Sequence, residues 1–436
     1  MLYTSILVLK SMIGAGILNL PLIFKTSGIL GGIILTIFIN FISFFVAYFL
    51  GRSKDLSQRY SYAVYSKIVL GTTGTVIMKI ALVIMCATLT IVLLIVFGDV
   101  FKGLSLLFYN VHTKILIIAI GLILMPFMFQ KDISGIAKYA YLGIIGLSIF
   151  YVTTVILFIY KYNHNKIIYD NSMLYPNGSL KEFFQCVGGY YNAYAFHVAY
   201  FSYYLPLKPR NTKTMMKSVF IGNIVGSLIY ASYGILFFLM YGNRITDSAM
   251  KYLQSDLEEA HKNNETGIVV VIVICFLCFV LNTCISTMSH FYFAKSHLIG
   301  IIKFCLSKIQ EKNKEKNDKK DIPLVDITDD KKEDEDMKNT KIIIKKEELL
   351  SEKKQFGITF LLYLMVLIMA VTFDKIIILD SFNGSTVSNY INIIAPSIFY
   401  LYFSKGKNYY GEKMMALFNL LFGVLLILLF FIFAFM

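Results

Sequence analysis

The stretch Lys10-Ser11-Met12-Ile13-Gly14-Ala15-Gly16-Ile17-Leu18-Asn19-Leu20-Pro21 lies inside the first long apolar segment of the chain, residues 2–24. A helix of about 20 apolar residues is long enough to cross a bilayer. This segment carries two glycines, which permit unwound backbone, and a proline, which lacks a hydrogen-bond donor. Unwound backbone survives in lipid only where protein or a water-filled cavity satisfies its polar groups. The stretch therefore predicts a broken transmembrane helix that binds a solute.

The composition of the whole chain is typical of a membrane protein. Of its 436 residues, 57% are hydrophobic and 16% are charged, whereas soluble proteins have roughly 45–50% apolar and about 25% charged residues. The net charge of +14 concentrates in short loops, which indicates membrane topology and not nucleic-acid binding. The pair Cys275 and Cys278 has no second ligand pair nearby, so we expect no metal and no cofactor.

Apolar runs separated by polar loops predict an all-α, multi-pass membrane protein with eleven transmembrane helices. The predicted spans are residues 2–24, 28–50, 74–101, 114–130, 136–160, 183–205, 217–241, 267–293, 356–374, 386–403 and 414–435. Basic residues in alternate loops, such as Arg52, Lys131 and Lys208, place the N-terminus in the cytosol. The plasma membrane and an internal acidic organelle both suit this topology.

A charged segment divides the chain into three parts. Residues 1–294 hold spans 1–8, residues 295–355 form a low-complexity cytosolic loop that we expect to be disordered, and residues 356–436 hold spans 9–11. The loop is either a solvated spacer or a site for a cytosolic partner. The tripeptides at Asn177, Asn264 and Asn383 fall in predicted outer loops and are weak signals for glycosylation.

A second interrupted helix is predicted five spans after the first. Span 6 contains Gly188-Gly189 and then several tyrosines up to His197, so it is a poor lipid-facing helix. Paired interruptions in the two halves of a chain mark the inverted repeats of transporters, and the spacing predicts a five-plus-five repeat with broken helices 1 and 6. Glycines also mark close helix packing, which is the alternative interpretation.

Two facing breaks would recognise the common part of an α-amino acid. The N–H groups that open the second half of a broken helix suit a carboxylate, and the carbonyls that close the first half suit an ammonium group. The predicted contacts are Ile13, Gly14, Ala15, Gly16 and Ile17 of span 1 and Tyr190, Tyr191, Asn192, Ala193 and Tyr194 of span 6. No span centre offers a carboxylate for a cationic side chain, which favours neutral amino acids.

These residues resemble the amino acid/auxin permease family of the amino acid–polyamine–cation transporter superfamily. The most specific element is the run from Gly14 to Pro21, followed by Gly28. Weaker elements are Gly98-Asp99, the spacing of His197, Tyr204 and Met215, the span 8 residues Thr283, Ser286 and Thr287, and Gly384-Ser385-Thr386 with Pro396. Ser202 and Tyr203 depart from the Pro and Ile that the family usually has there. Outside the charged loop, the resemblance implies eleven spans and alternating-access transport of amino acids.

The resemblance also bears on the coupling ion. In the sodium-coupled branch, an Asn stands four residues before the first glycine of span 1 and joins a span 8 threonine, a role that Thr287 fits, with Thr283 beside it. Lys10 occupies the Asn position here, and an ammonium group repels sodium. Lys10 is either a proton carrier or fixed cation, or a side chain that snorkels to the cytosolic headgroups. His197 and Asp99 are further coupling or gating candidates, although packing and capping roles fit them too.

We therefore expect a secondary transporter of amino acids that is proton-coupled or uncoupled, with the bilayer, an amino acid and a co-transported proton as its partners. The alternatives are a carrier for another small metabolite and a non-transporting amino-acid sensor that signals through the charged loop. A membrane enzyme is disfavoured, because no Ser/Cys/Asp constellation surrounds His197 or His290.

Overall fold

A computed structural model describes residues 1–130, 140–204, 207–246, 248–317, 350–373 and 375–435, and all regular structure within these ranges is helical. The helices are α1 (Leu2–Met12), α2 (Leu20–Ser57), α3 (Tyr62–Ser105), α4 (Thr113–Met128), α5 (Ala140–Asn163), α6 (Leu180–Ala193), α7 (Tyr200–Tyr204), α8 (Thr212–Tyr241), α9 (Ala249–Lys262), α10 (Thr266–Asn317), α11 (Glu352–Thr372), α12 (Ile376–Ser385), α13 (Val387–Asn389), α14 (Ala395–Phe403) and α15 (Tyr410–Phe435). Short 3-10 turns cover Ala15–Asn19 and His197–Ala199, and a π-helical turn covers Tyr390–Ile394.

Seven helical segments among the described residues are long and apolar enough to cross a membrane. They are Gly16–Ser57, Tyr62–Ser105, Leu142–Asn163, Thr212–Arg244, Thr266–Gln310, Glu352–Thr372 and Tyr410–Phe433. The protein is thus an all-helical, multi-pass membrane protein. The other predicted spans fall on shorter helices: span 4 is the continuous helix Thr113–Met128, and spans 1, 6 and 10 are interrupted, so none of these pieces reaches the roughly 20 residues that a bilayer requires. Eleven spans and an inverted repeat stay predictions.

Two long helices bend at a glycine in a left-handed conformation. Helix α2 contains Gly28 at φ 69° and α3 contains Gly71 at φ 68°, a region that residues with a Cβ avoid. A Cβ on Gly28 would also lie 2.4 Å from the Tyr175 carbonyl oxygen. The end of predicted span 1 therefore continues through this bend into predicted span 2.

The described helices depart from the predicted boundaries on both sides of the charged segment. Helix α10 runs on to Asn317, so the predicted loop 295–355 begins as helix, and residues 318–349 lie outside the described residues. Helix structure begins again at Ile376 in α12, ahead of predicted span 10. Asn383 is wholly buried inside α12, where a glycan has no room, so this burial argues against the glycosylation prediction for Asn383. Asn177 and Asn264 are exposed.

Helix α8 is the support on which the first broken segment lies. Both α1 and α2 pack against it. Two glycines of α8 permit the close approach of α1: a Cβ on Gly222 would lie 2.9 Å from Val8 Cγ1, and one on Gly226 would lie 2.8 Å from Met12 Cε. Small residues at a crossing let helix backbones come together in a membrane. This packing fixes the end of α1, where the helix breaks.

Candidate functional site

The first break lies where the sequence places the glycines. Helix α1 ends at Met12, Ile13 is extended (φ −77°, ψ 97°), and Gly14 (φ −134°, ψ −148°) precedes the 3-10 turn that leads into α2. Within the described ranges, no backbone carbonyl accepts the N–H of Gly14 or Gly16, as expected for the first turn of a helix. A Cβ on Gly14 would meet nothing within 4 Å. The N–H of Gly14 therefore lies beside open space.

The second break lies after the glycine pair of span 6. Helix α6 opens on a capping box formed by Ser179 and Glu182 and ends at Ala193, and a 3-10 turn begins at His197. Gly188 lies inside α6 against α12: a Cβ there would lie 1.9 Å from Ser385 Oγ, and a Cβ on Gly384 would lie 1.9 Å from the Gly188 carbonyl oxygen. The glycines thus serve close helix packing, which was the alternative interpretation.

The two breaks meet. A Cβ on Gly16 would lie 2.9 Å from Ala193 Cβ, so the two interrupted segments are in contact. The Tyr230 hydroxyl, on α8, lies 2.6 Å from the Met12 carbonyl oxygen and 2.9 Å from the Ala193 carbonyl oxygen. These carbonyls close the first halves of the two broken helices. A hydroxyl has one proton to donate, so the two converging acceptors are only partly satisfied.

The predicted span 6 tyrosines face neighbouring helices. The Tyr190 hydroxyl hydrogen-bonds with Thr36 of α2, and the Tyr194 hydroxyl lies 2.9 Å from Ser227 Oγ of α8. Tyr191 is fully buried, and its hydroxyl has no hydrogen-bond partner among the described residues. Tyr190 and Tyr194 therefore hold α6 against its neighbours.

A buried carboxylate, Asp380 of α12, lies between the two broken segments. Its Oδ2 accepts from Asn19 Nδ2 at 2.8 Å, and its Oδ1 accepts from Asn192 Nδ2 at 2.7 Å. Asp380 is 2% exposed. Sequence reasoning missed it because span 10 was predicted to start at residue 386. The expectation that no span centre offers a carboxylate did not take this buried side chain into account. The apolar run from Ile376 to Leu379 just before it was the available signal.

The coupling candidates of spans 1 and 8 lie on α1 and α10. The Thr287 hydroxyl donates to the Thr283 carbonyl (2.7 Å), and the Thr283 hydroxyl donates to the Phe279 carbonyl (2.8 Å). Such bonds to the preceding turn are common for threonine in helices. Lys10 is partly buried and lies close enough to His290 of α10 for their charges to interact.

The remaining candidates lie at helix contacts. His197 is fully buried and its Nε2 donates to the Ser43 carbonyl of α2 at 2.8 Å, which ties the turn after the second break to α2. Asp99 is buried in α3, and its backbone carbonyl accepts from Gln254 Nε2 of α9 at 2.5 Å. Asp99 thus lies where α3 meets α9.

The chain matches one family model over its whole length and two known proteins over part of it. Residues 1–436 match the model of the family described as "Transmembrane amino acid transporter protein". The chain is similar to amino acid transporter AVT6C of Arabidopsis thaliana, 23% identical over 265 residues, which are 56% of this chain and 60% of that protein. It is also similar to amino acid transporter AVT6E of the same organism, 25% identical over 263 residues, 57% of this chain and 53% of that protein.

The aligned part spans only 60% and 53% of those two relatives. The family match has no such gap, since it runs from the first residue to the last. The family consists of transporters and not of enzymes. The apolar membrane-spanning helices and the two facing breaks agree with this match. The chain belongs to the transmembrane amino acid transporter protein family.

Proposed function

We propose that the protein is a secondary transporter that moves α-amino acids across a membrane by alternating access. The observation that carries this proposal is the convergence of the Met12 and Ala193 carbonyls at Tyr230, close in the chain to Gly14 and Gly16, whose N–H groups have no backbone acceptor among the described residues. One site thus offers donors for a carboxylate and acceptors for an ammonium group. The printed names of the two relatives, both amino acid transporters, support the same substrate class.

The substrate would bind by replacing protein hydrogen bonds at the breaks. Its carboxylate takes the N–H groups of Gly14, Ala15 and Gly16, where the helix dipole is positive. Its ammonium group has three donors, whereas the Tyr230 hydroxyl has one. The ammonium can therefore satisfy the Met12 and Ala193 carbonyls together, which the hydroxyl cannot do.

We propose neutral amino acids as the substrate class, and the reason is the hydrogen bonding of Asp380. Asp380 is a carboxylate beside the site, but each of its oxygens already accepts an amide proton, from Asn19 and from Asn192. A cationic side chain would have to displace those amides. This occupancy supports a preference for side chains without a positive charge.

Coupling to protons, or exchange without a coupling ion, fits the residues better than coupling to sodium. Lys10 is partly buried on α1 and stands where the sodium-coupled branch of the family has an Asn. Its positive charge would oppose a sodium ion in this low-dielectric region. We also propose that the N-terminus is cytosolic, because of the basic residues in alternate loops. We propose that the protein resides in the plasma membrane or in the membrane of an acidic organelle.

Uptake into proteoliposomes tests the proposal. Purified protein is reconstituted, and labelled amino acids are offered with a pH gradient or a sodium gradient imposed separately. We expect flux of neutral amino acids without sodium. Strict sodium dependence would contradict the coupling proposal, and binding without flux would favour the sensor. Lys10→Ala tests a coupling role, with Lys405→Ala, an exposed loop lysine, as the matched control.

A further inference from the structure

Asp380 connects the two broken segments through a single carboxylate. Asn19 belongs to the 3-10 turn that follows the first break, and Asn192 belongs to the last turn of α6, before the second. Each of these amides donates to a different oxygen of Asp380. The carboxylate is therefore hydrogen-bonded to both broken segments through separate oxygens.

The surroundings of Asp380 supply amides and a phenol but no positive charge. The α6 backbone lies against it, since a Cβ on Gly189 would be 3.1 Å from Oδ2. Tyr230 of α8 is close enough to interact electrostatically. Helices α3 and α15 also pack against α12. Among the described residues, no lysine, arginine or histidine pairs with it.

An ionised carboxylate without a countercharge is costly inside a membrane protein, and such groups mark ion or proton pathways. The space around Asp380 is filled by the two amides and the α6 backbone, so the cation that fits without rearrangement is a proton. A second observation points the same way. Asn19 Oδ1 is buried and has no hydrogen-bond partner within the described ranges. A protonated Asp380 could donate to this oxygen after a flip of the Asn19 amide.

We propose that Asp380 is the proton acceptor of the transport cycle and that its protonation reverses the hydrogen bond to Asn19. In the ionised state, Asn19 Nδ2 donates to Oδ2. When Oδ2 takes up a proton, it becomes a donor, the Asn19 amide flips, and Oδ1 accepts. The bond to Asn192 at the other oxygen is kept. Proton uptake thereby changes the hydrogen bond between α12 and the first broken segment. The hydrogen bond between α12 and the second broken segment stays as it was.

This inference rests on the proposed transport function, and the experiment separates the two. Asp380→Asn keeps the shape of the side chain and cannot take up a proton. We expect the variant to retain measurable exchange of internal for external amino acid, but to lose accumulation driven by a pH gradient. The control is Asp170→Asn, which removes the same charge from an exposed loop and should leave both activities unchanged.

Each outcome bears on one of the two claims. Absence of exchange by the wild-type protein would overturn the proposed function. Exchange with pH-driven accumulation that persists in Asp380→Asn, or that is missing in the wild type, would overturn the role of Asp380 alone. Loss of cationic substrates with unchanged pH-driven accumulation of neutral ones would likewise overturn it and assign Asp380 to the substrate side chain.

A measurement on the wild-type protein covers the case in which the variant does not fold. Carbodiimides react with protonated carboxyl groups in apolar surroundings, and the modified residue can be mapped by mass spectrometry. We expect modification of Asp380 at acidic pH and not at alkaline pH. The same extent of modification at both pH values, including none, would overturn the proposal.

Discussion

Replacing Tyr230 by phenylalanine removes one hydroxyl from the junction of the two breaks, and we expect it to tighten substrate binding. In the empty wild-type site, the hydroxyl donates to the carbonyls of Met12 and Ala193, and the substrate ammonium has to displace that bond. A hydrogen bond contributes about 1 kcal/mol net. Because 1.4 kcal/mol corresponds to a tenfold change in Kd, we expect the Kd of the variant to fall about fivefold. The empty variant should lose about 1–3 kcal/mol of stability, since buried carbonyls are left without a donor.

The assay is equilibrium binding of a labelled amino acid to purified protein, together with thermal unfolding with and without that ligand. Tyr233→Phe is the matched control, because Tyr233 lies on the same helix, is fully buried, and has a hydroxyl without a hydrogen-bond partner among the described residues. Unchanged or weaker binding by Tyr230→Phe would refute the displacement argument. An equal gain in Tyr233→Phe would show that the effect does not come from the carbonyls.

Three further substitutions test other contacts. Gly16→Val adds a branched side chain at the contact between the breaks, so we expect loss of uptake by a protein that still elutes as a single species; normal uptake would contradict that contact. Gly384→Ala places a methyl group 1.9 Å from a carbonyl oxygen of α6. We expect the overpacking cost of about 1–3 kcal/mol to outweigh the roughly 1 kcal/mol gain in helix propensity, so the variant should be less stable. An unchanged unfolding midpoint would refute this expectation. Asn383→Gln should leave electrophoretic mobility unchanged in a glycosylating host, whereas any glycosidase-sensitive shift should disappear when Asn177 and Asn264 are both changed to Gln.

The first break could be located from sequence because its cause is local. Glycines in a long apolar run weaken helix whatever surrounds them, and the chain does leave helical geometry at Ile13 and Gly14. The second break could only be placed within a segment. The prediction gave the stretch from Gly188 to His197; Gly188 is needed for the crossing with α12, and the helix ends after Ala193.

The side chains that complete the candidate site could not be found from sequence, because their roles depend on contacts between distant helices. Tyr230 is one of 30 tyrosines, and nothing in its neighbours shows that it reaches two carbonyls far away in the chain. Asp380 was assigned to a loop because a charge at the edge of an apolar run ordinarily ends a predicted span. The partners that make it tolerable in a helix, Asn19 and Asn192, lie in other segments.

The crossing of α6 and α12 restricts which parts of the protein can move separately. A Cβ on Gly188 or Gly384 would lie within 2 Å of the opposite helix, so neither helix can rotate about its axis without a backbone collision. The two helices are therefore expected to tilt as one rigid unit. The chain's freedom to bend then falls after α12, at Thr386 (φ −111°, ψ −89°) and at the π-helical turn Tyr390–Ile394, where helices are easily deformed. The bend at Thr386 and the π-helical turn would set how far α6 and α12 tilt. A substitution there would change turnover while the binding site stays intact.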